Sequence, residues 1–171
     1  VVRLKGGDPC IFGRGGEEAE WLRAKGVEVE LVNGITAGLA GATQCGISLT
    51  LRGVSRGVTL VTAHTQDDSS LNWPALAQSG TTLVVYMGVA KLSEIRDNLL
   101  AGGLAANTPV AMIENASLPH QRECRSMLAD MQLDAVAFEL KSPAILVIGK
   151  VAGGYNSAGA DVLANSLKHC G

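Results

Sequence analysis

Along almost the whole chain, short runs of β-branched and aliphatic residues alternate with stretches of helical periodicity, and this alternation restricts the fold more than any other feature. Runs at 1–4, 27–32, 58–63, 81–87, 109–113, 124–128 and 144–151 read as strands, and segments 17–25, 36–44, 73–78, 91–100 and 130–140 as helices. The run 81–87 (TTLVVYM) is strongly apolar on successive residues, as a strand covered on both faces must be. Buried-type strands interleaved with helices predict an α/β architecture. No internal repeat is present.

Local signals sharpen the boundaries. Segment 17–25 opens on Glu17 and Glu18, closes on Lys25 and meets Gly26, the order of charges and stop residue that a helix dipole favours. Segment 36–44 (TAGLAGATQ) has Thr36 where an N-cap belongs and enough Ala and Gly to let a neighbour approach closely. The stretch 48–57 (SLTLRGVSRG) breaks the rhythm and reads as a connector and domain boundary; 153–171 reads as a loose tail with one helical turn near 162–167.

Composition narrows the function classes. Fourteen Lys and Arg against 16 Asp and Glu give a formal charge of -2 with no basic block, so nucleic acid is not the expected partner. No unbroken apolar run approaches the roughly 20 residues a membrane helix needs, and the chain reads as a soluble, cytoplasmic protein. Cys10, Cys45, Cys124 and Cys170 form no CxxC pair and share no ligand spacing with His64, His120 or His169, so neither a metal site nor a disulfide framework is expected. Hydrolase signatures are absent too; His64 alone follows a strand.

What remains is a set of short polar or glycine-rich motifs, each at a strand end, where open α/β sheets place ligands. Gly6-Gly7-Asp8-Pro9 follows the first strand, with glycines that admit a ligand close to the backbone and an acceptor in Asp8; it is also an ordinary turn sequence. Arg14 stands between glycines in Phe12-Gly13-Arg14-Gly15-Gly16, held by backbone more than by packing. Gly34-Ile35-Thr36-Ala37 opens a helix after a strand, Tyr86-Met87-Gly88 ends the most apolar strand, and Glu114-Asn115-Ala116-Ser117 ends another. Each has a plain structural reading, as cap, turn or core filler. Their shared placement favours a ligand cleft.

These residues also match a known pattern. VVRLKGGDPCIFGRGGEEAEWL, VNGITAGLAGATQCGISLTLRG, LVVYMGVAKL, AMIENAS and SPAILVIGKV, in that order, closely resemble the tetrapyrrole methylase superfamily and, within it, the uroporphyrinogen-III C-methyltransferases. The resemblance implies two α/β domains with a cofactor cleft between them: 1–52 the C-terminal part of the first, 53–152 the second. It implies S-adenosylmethionine as methyl donor, S-adenosylhomocysteine as its product form, uroporphyrinogen III as acceptor, methylated twice through precorrin-1 to precorrin-2, and a homodimer. By position, the cofactor contacts would be Gly6, Gly7, Asp8, Ile11, Thr36, Ala37, Met87 and Ala116. For a substrate with eight carboxylates, Arg14, Arg52 and Arg3 are candidate partners. The catalytic proton acceptor and donor of the family would lie upstream of Val1, so the chain is expected to be N-terminally incomplete. It departs from the family at Cys10, Asn33, Ser48, Leu51, Ala63 and Ala116. A methylase of a later cobalamin intermediate and a non-catalytic cofactor-binding remnant are the alternatives.

Overall fold

The computed structural model describes residues 1–64 and 71–154. The tail reading, including its helical turn, falls outside them beyond 154, where Lys150–Gly153 closes the described chain as a 3-10 turn.

Among the described residues five α-helices and five strands form in the order α1 (Gly15–Arg23), α2 (Ala37–Gln44), β1 (Val58–Thr62), α3 (Trp73–Gln78), β2 (Thr82–Tyr86), α4 (Leu92–Ala101), β3 (Pro109–Glu114), β4 (Arg122–Met127), α5 (Met131–Ala137) and β5 (Ala144–Ile148). The sheet runs β1-β2-β5-β3-β4. Strands β1 and β2 pair in parallel, across α3; β5 inserts between β2 and β3, antiparallel to both, and β4 pairs antiparallel with β3 at the edge. The sheet is therefore mixed, and β2, β5 and β3 form its buried centre.

Side-chain alternation explains why those central strands are apolar on successive residues. Leu83, Val85, Val110, Met112, Leu146 and Ile148 point to a face covered by Trp73 of α3, Ile95 and Leu99 of α4, and Met131 of α5. Val84, Tyr86, Ala111, Ile113, Ile145 and Val147 point to the other, covered by Ala42 of α2, Ile47 and the 3-10 residues Val151 and Ala152. Each fully buried Val, Leu or Ile contributes about 1.5–3 kcal/mol over leaving it exposed, so both faces hold the sheet.

The strand readings at 1–4 and 27–32 are not met. A strand exists by pairing, and among the described residues neither segment has a ladder partner; Val1, Val2, Leu4, Val32 and Ile35 lie exposed. Other ends shift by a few residues for local reasons. The run 81–87 stops at Tyr86 because Met87 turns to φ 55°, and 144–151 stops at Ile148 because Gly149 breaks the extended course. Helix α1 ends at Arg23, earlier than the charge pattern suggested; Gly26 at φ 75° follows, with Val27 N–H reaching back to the Leu22 carbonyl.

Candidate functional site

Because β1, β2 and β3 run the same way, their carboxyl ends share one sheet edge with the first residues of β4 and β5. That edge carries His64, Met87 and the turn 115–117. The loops at 6–14 and 33–37 are drawn onto it by a few specific bonds.

Asp8 makes the first stitch. Its Oδ1 accepts the Cys10 N–H at 2.8 Å and its Oδ2 accepts the Gly34 N–H at 3.1 Å, joining two loops 26 positions apart. The approach is close enough that a Cβ at Gly34 would overlap the Gly7 carbonyl, so glycine is required there. Gly7, at φ 75°, lies against the backbone of Ile35 and Thr36.

Tyr86 makes the second. Thr36 is the N-cap residue of α2, as the sequence suggests, but its side chain makes no capping bond. Its Oγ1 pairs instead with the Tyr86 hydroxyl at 2.7 Å, and that hydroxyl accepts the Gly38 N–H at 3.0 Å. The cap is thus supplied from the end of β2, and all three groups are buried. The Phe12 ring packs on Tyr86 with centroids 4.8 Å apart. Ile11, Ala37 and Ala116 pack against the same apolar cluster as Tyr86, and Gly41 of α2 lies so near Ala116 that an added Cβ would come to 2.8 Å from the alanine methyl.

Gly6, Gly7, Asp8, Ile11, Thr36, Ala37, Met87 and Ala116 therefore gather about one rim. Arg14 follows Phe12 on it, exposed and paired with Glu17 at 2.7 Å; this bond holds the Glu17 carboxyl below its ordinary range. Arg3 pairs loosely with Glu18 at 3.6 Å, which Lys5 holds more closely at 2.8 Å. The exposed pairs of Arg14 and Arg3 are weak and screened by solvent, so a ligand carboxylate can displace them. Arg52 is not brought to this rim. Its segment lies at the opposite end of the sheet, where Leu49 and Gly57 carbonyls accept from Thr82, beside a shallow hollow lined by Gly53, Arg56 and Thr81.

Of six non-glycine residues with positive φ among the described residues, five belong to these loops: Phe12, Arg14, Met87, Asn115 and Ser117. Each such residue costs on the order of 1–3 kcal/mol, and such strain concentrates at ligand sites. Among the described residues Cys10, Cys45 and Cys124 form no disulfide, and burial pushes the Cys45 thiol up to about 12. Sequence reasoning missed Tyr86, crediting its neighbours Met87 and Gly88, although a tyrosine closing a buried strand needs a partner for its hydroxyl.

A family model, Tetrapyrrole (Corrin/Porphyrin) Methylases, matches residues 1–132. The chain belongs to the tetrapyrrole methylase family. A uroporphyrinogen-III C-methyltransferase of Pseudomonas fluorescens is 76% identical over 163 residues, covering 95% of this chain and 66% of the relative. One from Pseudomonas aeruginosa is 75% identical over 151 residues, covering 88% and 62%. The tetrapyrrole methylase chain thus spans slightly less than two thirds of these relatives' length. Among solved structures, a Thermus thermophilus uroporphyrin-III C-methyl transferase complexed with S-adenosylhomocysteine superposes with a TM-score of 0.78 at 38% identity, covering 90% of this chain and 67% of that one. A cobalt precorrin-4 methyltransferase of cobalamin biosynthesis, at 22% identity and a TM-score of 0.79, shares the fold.

Proposed function

We propose that this chain builds the cofactor cleft of an S-adenosylmethionine-dependent C-methyltransferase that converts uroporphyrinogen III to precorrin-2 through precorrin-1. The observation that carries the reading is the convergence of Gly6–Asp8, Thr36–Ala37, Met87 and Ala116 on one strained rim, in a chain 76% identical to a relative of that name. The residues suit an adenosyl ligand. Space over Gly6 is open, Met87 is half exposed, and Ile11, Ala37 and Ala116 give apolar wall beside backbone polar groups.

When bound, S-adenosylmethionine supplies an activated methyl group that an electron-rich pyrrole carbon attacks. The chain's own part is to orient and to exclude water. Asp8 fixes the two loops against each other, Tyr86 fixes α2 and Thr36 against the sheet, and the rim residues they hold set where the donor lies. Arg14 is the proposed carboxylate partner at the rim; Arg52 would serve only a ligand broad enough to reach the far end of the sheet. The division at 52/53, with the cleft between two α/β domains, and a cytoplasmic homodimer belong to the same reading. No helix among the described residues is long and apolar enough to cross a membrane.

Incubation with methyl-labelled S-adenosylmethionine and uroporphyrinogen III tests the proposal. Label in a dimethylated tetrapyrrole supports it. Absence of any S-adenosylmethionine binding would refute it.

A further inference from the structure

At the carboxyl end of β3 lies Glu114, a carboxylate only 5% exposed. A buried charge persists only when its oxygens are filled, and these are. Oε1 accepts from Arg122 Nε at 3.3 Å and Asn115 Nδ2 at 3.2 Å; Oε2 accepts from Arg122 Nη2 at 2.8 Å and the Lys141 N–H at 2.8 Å.

Arg122 is the cross-strand partner of Glu114 and opens β4. Beyond the carboxylate it donates to the Phe138 and Glu139 carbonyls at 3.3 and 3.1 Å, which close α5, and its guanidinium lies 4.4 Å over the Phe138 ring. One pair thus joins β3, β4, the end of α5 and the approach to β5.

What this junction faces is the rim. Asn115 at φ 52° and Ser117 at φ 70° enclose Ala116, the residue against which Gly41 of α2 packs. Neither left-handed residue is a glycine, so the turn holds its shape through its bonds: Asn115 Nδ2 to Glu114, Asn115 N–H to the Pro143 carbonyl at 2.9 Å, and Ser117 N–H to Gln121 Oε1 at 2.8 Å. Glu114 is the anchor that both the turn and Arg122 share.

We infer that Glu114 and Arg122 form a positioning pair that sets the 115–117 turn and, through it, the Ala116 wall of the cofactor cleft; this rests on the methyltransferase reading above. The pair acts through the turn.

Calorimetric titration of the full chain with S-adenosylhomocysteine, below the melting temperature of every variant, tests this. Glu114→Gln keeps the size of the side chain but turns one acceptor into a donor, and should weaken binding about tenfold. Leu128→Ala, a fully buried change at the far end of β4, should lower the melting temperature yet bind like the parent. Asn115→Gly relieves the left-handed backbone while removing the amide tie, so it should fold normally and still bind several-fold more weakly. Once methyl transfer is assayed, the loss should appear in the cofactor KM far more than in kcat. Equal affinity for the parent, Glu114→Gln and Asn115→Gly overturns the inference, as does an affinity loss in Leu128→Ala as large as theirs. A parent chain that binds no S-adenosylhomocysteine refutes the methyltransferase reading itself, and the inference with it.

Discussion

Replacing Tyr86 with Phe removes a single oxygen from the junction between the sheet and the loops of the rim. That oxygen serves Thr36 Oγ1 at 2.7 Å and the Gly38 N–H at 3.0 Å, both buried. Without it the Gly38 N–H, one of the first amides of α2, has no partner, and the Thr36 hydroxyl loses its own. A buried donor left unsatisfied costs about 1–3 kcal/mol. The Thr36 hydroxyl can rotate to cap the helix, recovering part of the loss, so a net destabilisation of about 1–2 kcal/mol is expected. At roughly 2–4 °C per kcal/mol for a chain of this size, the melting temperature should fall by about 2–8 °C. The ring contact with Phe12 survives the change, which confines the effect to the hydroxyl. Differential scanning calorimetry of parent and variant reads it directly. A shift under about 1 °C would mean that the hydroxyl carries no weight and that the rim is not tied to β2 as described.

Asp8→Ala frees both the Cys10 and Gly34 amides, and should weaken S-adenosylhomocysteine binding by at least tenfold in a titration while leaving the sheet's melting transition within a few degrees. Arg122 first, and then the Lys141 N–H, hold the Glu114 carboxyl below its ordinary range. A depressed folded-state value contributes stability above the unfolded pKa near about 4.3 that is lost as pH falls through the folded one, so melting temperatures across pH 7 to 3 should decline more steeply at the acid end in the parent than in Glu114→Gln. With burial keeping the Cys45 thiol protonated to about pH 12, peptide mapping after brief iodoacetamide treatment at pH 8 should find exposed Cys10 alkylated well before Cys45.

The sheet was legible because its strands are periodic and mostly bury both faces. β1, β2, β3 and β5 and every helix stand within a few residues of where apolar runs and caps place them. Strand order was not legible: nothing in 144–148 says that β5 inserts antiparallel between β2 and β3, since that depends on pairing between distant segments. Residues 1–4 and 27–32 have strand-like composition and no ladder among the described residues, because β propensity records fit to a neighbour. At the site, the GGDP and GITA stretches announced themselves through glycines and a cap, local signals that a sequence prints. The bond that joins them to the sheet spans 50 positions from Thr36 to Tyr86, and the charge pair behind Ala116 links two strands across a turn. Such long-range partners leave only an unpaired requirement in the sequence, a hydroxyl or a carboxylate in an apolar run, without saying what meets it. Arg52 shows the converse, since a basic residue near the family's motif is carried by its connector to the opposite end of the sheet.

The central claim is that the strand-end rim is a cleft for the adenosyl cofactor. Calorimetric titration of the chain with S-adenosylhomocysteine tests it most directly. Saturable binding with a micromolar Kd, weakened at least tenfold by Asp8→Ala and measurably by Tyr86→Phe, is the predicted result. A titration with no heat beyond dilution, or binding indifferent to both substitutions, would contradict it.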